Sequence, residues 1–595
     1  MAAEIARDRQ PPAGDLRQPG NLPHAGNLPR LDGLPDFVAT LAADDEPGLA
    51  VGVYAGGERV ATATAGCALP EHGVPVTEHT AFDIASVSKH MTAACVLLLL
   101  ARGRGPRGRR GHGRLDLDAD VRASLPELRL AQPVTLRQCL THTAGLRDYF
   151  ALCEIFGIGA AGITEDRFTD LVAGQADLDF PAGSAFSYSN TGYALTAALV
   201  RRVTGSGLAR FAAERVFGPL GMTATHFRDD VSLLVPGLAG GYVVAPARQP
   251  GRLGTNFRRY DVTEEVVGDG AVVTTVADLA AWHAFMATGA VLGTDIRDGL
   301  LARQVLTDGT QIGYALGLES IDVGGNAAWW HSGSWAGYRA AVIYLPALGA
   351  GVSVLANRDD RYASHVALAV ATALTGGGDP RTAYLALTGD PAPAERASRE
   401  AEGVAGLWHE PGQDVFVELE VAPPPSDPSQ IALRDHGGRR FVLCADGSWH
   451  GIGPAAGSSY TVRDGALIAN WGLSDRPEGR YQRAEPKPPG SLPPAPAGIF
   501  FNEEVRAHAE IRAGESGAAE IVIGLAAPRP LIPAGDGAWR GAAAGRAADG
   551  AVTLRLADDG SSLLVSAPGA RRVRFDRVPG ARAGLPVMRG LRGAR

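Results

Sequence analysis

Residues 86–101 read Ser86-Val87-Ser88-Lys89-His90-Met91-Thr92-Ala93-Ala94-Cys95-Val96-Leu97-Leu98-Leu99-Leu100-Ala101. Beyond Lys89 the run is apolar nearly all round, the pattern of a helix buried on every side rather than one lying on a surface. Ser86 then stands at its N-terminal end, where unpaired N–H groups and the helix dipole favour negative charge. Lys89, three residues on, shares its face. Lysine is rare in this chain: of 56 lysines and arginines, only Lys89 and Lys487 are lysine. Guanidinium stays protonated in proteins, whereas a desolvated ammonium can lose its proton and act as a base. A serine hydroxyl needs such a neighbour to become a nucleophile, and Ser-x-x-Lys supplies it. The tetrapeptide alone fits a solvated helix lysine better than a catalytic one, so the rest of the chain has to separate the two readings.

Two further segments do so. Phe180 to Tyr193 contains Tyr188-Ser189-Asn190, and Trp330 to Tyr338 contains His331-Ser332-Gly333. In this order, with Ser-x-x-Lys, they resemble the three signature elements of the penicillin-recognising serine hydrolases, the class C β-lactamase-like superfamily. Thr135 to Leu146, Pro219-Leu220-Gly221-Met222 and Asp278-Leu279-Ala280-Ala281-Trp282 fit the same template, so the resemblance spans roughly residues 35 to 375. Ile84 to Lys89 and Gly145 to Leu152 look most like the D-aminopeptidase group, in which His-x-Gly replaces the Lys-Thr-Gly of β-lactamases and two β-barrel domains follow the catalytic domain.

The resemblance implies an α/β (α+β) catalytic domain, a central antiparallel sheet flanked by helices, followed by two antiparallel β-barrels. It implies a serine hydrolase working through an acyl-enzyme, of the D-aminopeptidase type, with a related esterase, amidase or β-lactamase-like activity as the alternative. Ser86 is then the nucleophile, Lys89 and Tyr188 share the base role, Asn190 orients the site, and His331, at the His-x-Gly position, counts with them among the catalytic residues. The backbone N–H groups of Ser86 and Ser334 would form the oxyanion hole, with Gly333 lining the substrate site. A loop of the last barrel, Arg540 to Asp549, would approach the cleft and offer Asp549 to a substrate ammonium. No metal or cofactor is implied. His142 and His226 fall in matching segments but not at catalytic positions. A catalytically silent binding protein of the same fold is the alternative of another class, and the intact Ser86, Lys89, Tyr188 and His331 set point away from it.

Composition agrees with a multidomain globular chain: 595 residues, 45% hydrophobic, net charge −8. That charge argues against a nucleic-acid partner; a small peptide, amide or ester as substrate is what the resemblance implies, and a homodimer is compatible with it. The apolar run after Lys89 is too short to span a membrane. Five cysteines are scattered in no metal-ligand spacing and read as small buried apolar residues. Residues 1–30 lack an apolar signal core and read as a disordered lead-in, so the expected location is cytoplasmic. A Gly/Arg-rich insert, Gly103 to Arg114, reads as a solvated loop.

Leu49 to Ala55 and Val60 to Ala65 around Gly56-Gly57 form an expected hairpin, and Tyr338 to Leu345 and Gly351 to Asn357 read as strands. Domain boundaries follow as 31–380 for the catalytic domain, 400–483 for the first barrel, 484–495 for a Pro-rich linker and 496–590 for the second barrel. An internal echo supports the two barrels: Ala405-Gly406-Leu407-Trp408 recurs as Ala497-Gly498-Ile499-Phe500, and Glu418-Leu419 recurs at the same offset as Glu510-Ile511.

Overall fold

The computed structural model describes residue 29 and residues 31–578 apart from 104–114, 159–161, 245–256, 361–362, 377, 389–391, 413, 423–431, 436–439, 445–446, 453–458, 471–478, 485–496, 505–506, 515–518, 525–527, 536, 542–551 and 558. The expected lead-in, nearly all of the Gly/Arg-rich insert, nearly all of the Pro-rich linker, and Asp549 with most of its loop lie outside the described residues.

A six-stranded antiparallel sheet organises the catalytic domain. Its strands are β1 (Leu49–Ala55), β2 (Glu58–Ala65), β3 (Glu319–Val323), β4 (Asn326–Trp335), β5 (Tyr338–Leu345) and β6 (Ala350–Ala356), in the spatial order β3-β4-β5-β6-β1-β2. Both ends of the domain therefore meet in one sheet, with β1 pairing β6 from Leu49↔Ala356 to Ala55↔Ala350. Every residue of β1 and β6 is buried, because helices cover both faces. Alternation sorts the side chains. Val51, Val53, Ala341, Ile343, Val352 and Val354 pack beneath helices α1 (Leu34–Ala39) and α5 (Ala363–Gly376). Ala50, Tyr54, Ala340, Val342 and Leu355 face the larger helical layer.

That layer carries the site. Helix α2 (Ser88–Gly103) is the apolar run read from the sequence, and Met91 and Val96 are fully buried in it, each contributing about 1.5–3 kcal/mol by burial. Ser86 lies just ahead of α2, in a short 3-10 turn, Ala85–Val87. Ser88 fastens the junction: its Oγ donates to Ala85 O at 2.6 Å and accepts from Val272 N at 3.0 Å. Helix α3 (Tyr149–Phe156) starts at Asp148, whose Oδ1 accepts from Phe150 N at 2.9 Å. Helix α4 (Asn190–Thr204) starts at the Tyr-x-Asn motif.

Two closed eight-stranded antiparallel barrels follow, β7 (Gly406–Glu410) to β14 (Gly479–Arg483) and β15 (Gly498–Asn502) to β22 (Ala570–Arg577). The sequence echo is a repeat of register: Gly406 faces Leu419 and Leu407 faces Glu418, as Gly498 faces Ile511 and Ile499 faces Glu510. Closure repeats as well. Trp408 pairs with Arg483 and Phe500 with Arg577, the guanidinium lying over the ring at 4.8 and 5.0 Å.

One region departs from the sequence reading. Two helices, Pro380–Thr388 and α6 (Ala394–Val404), precede the first barrel. The anchors of α6 are Ala397, Ala401 and Val404, at i, i+4 and i+7, and they complete the core of the first barrel with Trp408 and Val417. The helical period was present, but alanine between charged residues gives it little contrast.

Candidate active site

The nucleophile turn is held under backbone strain. Ala85 has φ +46°, the left-handed region that non-glycine residues avoid. Asp83 stabilises it by accepting the Ala85 N–H at 2.7 Å, and the β4 strand presses on it from above. A Cβ at position 333 would sit 2.1 Å from Ile84 O, so the His-x-Gly glycine is required by this close approach.

Lys89 is fully buried, and three acceptors surround its Nζ: Ser86 Oγ at 3.0 Å, Asn190 Oδ1 at 2.8 Å and Asp269 O at 2.6 Å. Nζ also lies 4.9 Å from the centre of the Tyr188 ring. Ser86, Lys89, Tyr188 and Asn190, separated by up to 104 positions in sequence, therefore converge on one cluster. A cavity of about 470 Å³ opens over it, lined by Ser86, Tyr188, Asn190, Ser332 and Ser334 among others. Four carboxylates, Asp148, Glu264, Asp269 and Glu319, also line it, while no arginine, lysine or histidine among the described residues does.

His331 takes a different place from the other motif residues. Only 2% exposed, it stands behind the cavity, with Nδ1 at 2.6 Å from Ser332 O and Nε2 at 3.1 Å from Tyr314 Oη. Tyr314 Oη also meets His142 Nε2 at 3.1 Å, and His142 Nδ1 accepts from Ser189 N at 3.1 Å. Hydrogen-bond accounting orders this chain. Because Nδ1 of His142 accepts, its Nε2–H donates to Tyr314, whose hydroxyl is shared between His331 Nε2 and the Tyr193 hydroxyl. His142 also packs against Tyr188 at 4.1 Å between ring centres. The two histidines thus brace Tyr188 and β4 from within.

Sequence reasoning missed two carboxylates in this neighbourhood. Asp148 Oδ2 accepts both Asn190 N at 2.6 Å and Asn190 Nδ2 at 3.0 Å. Asp269 Oδ2 accepts from Tyr149 Oη at 3.1 Å while its carbonyl holds Lys89. Burial pushes the Asp269 carboxyl up to about 6, against the pull of the Lys89 charge. Burial also raises Asp148, opposed by its bonds to Asn190 and Phe150 and by Lys89. In sequence Asp148 carried only the signal of a helix N-cap ahead of an apolar run, and Asp269 only that of a turn aspartate between Gly268 and Gly270.

A β-lactamase family model matches residues 36–377, more than half of the chain. The chain belongs to the β-lactamase family. A D-aminopeptidase of Cereibacter sphaeroides (strain KD131) is 27% identical to this β-lactamase-family chain over 546 residues, covering 91% of it and 93% of that protein. A D-aminopeptidase of Gluconobacter oxydans is 26% identical over 379 residues, 63% of this chain and 66% of that one. Among solved structures, the octameric penicillin-binding protein homologue from Pyrococcus abyssi is 21% identical, covers 73% of this chain and 96% of its own, and gives a TM-score of 0.48. Among the described residues of this family member, no helix is long and apolar enough to cross a membrane.

Proposed function

We propose that the protein is a serine hydrolase that releases N-terminal D-amino acids from small peptides or amides. The observation that carries this reading is the charge of the cavity: a nucleophile cluster opens into a space lined by four carboxylates and, among the described residues, by no cationic side chain. A free α-ammonium is favoured in such a desolvated acidic site, and a substrate carboxylate is disfavoured. We assign the ammonium to Glu264 of this wall, whose Oε2 accepts from Trp335 Nε1–H at 2.8 Å. The D-aminopeptidases that align along nine-tenths of the chain support the same substrate class.

In this mechanism the Lys89 ammonium first loses a proton to solvent, and the amine then takes the Ser86 proton as Oγ attacks the carbonyl carbon. Backbone N–H groups of Ser86 and Ser334 receive the oxyanion, and Tyr188 delivers a proton to the leaving amine. Water then attacks the acyl-enzyme by the reverse route. His331, held inside by Tyr314 and Ser332, positions the β4 strand and meets no substrate carboxylate.

The test is a side-by-side assay of D-alaninamide, N-acetyl-D-alaninamide, a p-nitrophenyl ester and a cephalosporin. Turnover of the free amine above its N-acetyl counterpart is expected, together with loss of phosphonate labelling in Ser86→Ala. Glu264→Gln should raise KM for the free-amine amide about tenfold or more and leave the uncharged ester unchanged. Efficient cephalosporin hydrolysis with no free-amine preference would overturn the assignment.

A further inference from the structure

We propose that the second barrel positions the catalytic lysine. Its turn between β21 (Ser562–Ala567) and β22 holds Asp148, and Asp148 holds the Asn190 amide in the orientation that presents Oδ1 to Lys89. The inference rests on Ser86 and Lys89 as nucleophile and base, and not on the identity of the substrate.

The contact begins at Gly569, which has φ +86° and whose carbonyl accepts the Asp148 N–H at 2.7 Å. A Cβ at 569 would lie 3.1 Å from Asp148 Cβ, tighter than ordinary packing. Two residues on, Arg571 N–H donates to Asp179 Oδ1 at 2.9 Å, and Asp179 pairs with Arg147 at 3.6 Å. Glu504, also from this barrel, takes Arg147 Nη1 at 3.1 Å and Ala176 N at 3.1 Å. The barrel therefore fixes residues 147 and 148 through backbone and side chain together.

From Asp148 the chain of contacts continues into the site. Its Oδ2 receives both the backbone N–H and the Nδ2 of Asn190. Turning that amide over would set its carbonyl oxygen against a carboxylate, so Nδ2 stays on Asp148 and Oδ1 stays on Lys89. Lys89 in turn lies 3.0 Å from Ser86 Oγ. One glycine turn, Asp148, Asn190 and Lys89 thus link a non-catalytic domain to the nucleophile. Reactions of this kind lose tenfold to a hundredfold when a reacting group shifts by about 1 Å.

The test uses the full-length protein and the rate at which a fluorophosphonate labels Ser86, separated into kinact and KI. Gly569→Ala should label about tenfold more slowly at saturating probe, with KI within about twofold. Gly560→Ala is the control for backbone strain, since Gly560 has φ +68° in the same barrel and its nearest atom to an added methyl is 3.7 Å away. It should label like wild type. Equal kinact in the two variants would overturn the proposal. If Gly569→Ala fails to fold, Asp148→Asn decides: its kinact should fall at least about tenfold with KI unchanged, and wild-type kinact would overturn the idea. Wild type that labels yet leaves D-amino-acid amides intact would sink the substrate reading alone, and wild type that does not label would sink both.

Discussion

The two C-terminal barrels share strand number, register and the cation–π contact that closes them, but they join the rest of the chain in different ways. The first is completed by its own helix α6, and its core is a separate cluster built on Trp408, Phe441 and Trp449. In the second, Phe500, Ile511, Leu563 and Phe575 belong to one continuous core with the helical layer that carries Ser86. Phe575 meets Phe156 of α3 at 5.8 Å, and the Arg529 guanidinium donates to Glu154 O at 3.2 Å. The first barrel reaches its twin through Asp414 with Arg555 and Glu418 with Arg540. Identical topology therefore does not decide what a domain does. The residues on its outer face decide it, because they determine which cavity wall each barrel can hold in place.

If the second barrel matters through what it reaches, the largest loss must lie at the residue reached. Lys89→Arg keeps a cation among three acceptors but removes a releasable proton, so acylation should fall by about a thousandfold or more while the protein stays folded. Phosphonate labelling and circular dichroism check this, and near-wild-type labelling would remove Lys89 from the base role. The interfaces themselves come next. Arg147→Met leaves Asp179 and Glu504 without their buried cation and should cost about 3–5 kcal/mol of stability, with slower labelling. Arg555→Met at the barrel–barrel contact strips one of two partners from buried Asp414, which keeps His409, and should cost less, about 1–3 kcal/mol, with labelling unchanged. Denaturant titration of the two variants gives the comparison, and equal losses would erase the asymmetry.

The strands of the sheet and the two β modules were legible because alternation, turns and an internal echo leave periodic marks, while the closure of those modules into barrels came from the resemblance. Ser86 and Lys89 were legible because their spacing is one turn of helix, and Tyr188 and Asn190 became legible only through the resemblance to a known family. Asp148 and Asp269 were hidden, since their partners lie 42 and 120 to 180 positions away and a buried carboxylate looks in sequence like any turn aspartate. His331 was found as a motif, but its direction was not, because one-residue alternation on β4 and the hydroxyl of Tyr314 decide which side it faces. The barrel contact through Gly569 was equally silent: the reading named the loop Arg540 to Asp549, which beyond Gly541 lies outside the described residues, and nothing in the sequence singled out the turn at 569.

The smallest effect contrasts the site with the barrels through pH. Burial pushes the Asp83 carboxyl beneath the nucleophile turn from 3.8 up to about 7, Glu264 and Asp269 push with it, and the Ala85 N–H and Arg228 pull against them. Its Oδ2 is buried without a hydrogen-bond partner among the described residues. A carboxyl raised in the folded state binds a proton that the unfolded chain releases near pH 4. Its contribution to stability is therefore complete below about pH 4 and is lost as pH rises through about 7. Asp414 in the first barrel has the opposite sign. Burial alone would raise it, but hydrogen bonds from His409 and Arg555 hold it well below its ordinary value, so its contribution is present above about pH 4 and lost below it. Asp83→Asn keeps an acceptor for Ala85 N, and its Tm advantage over wild type should grow from pH 4 to pH 7 and then level off. Asp414→Asn should lower Tm at pH 7 and lose that penalty as pH drops below about 4. Melting curves of both variants across this range would have to run parallel to wild type for the contrast to fail. A rising difference in one and a falling difference in the other would place the buried-charge cost of this fold beside its nucleophile and not in its barrels.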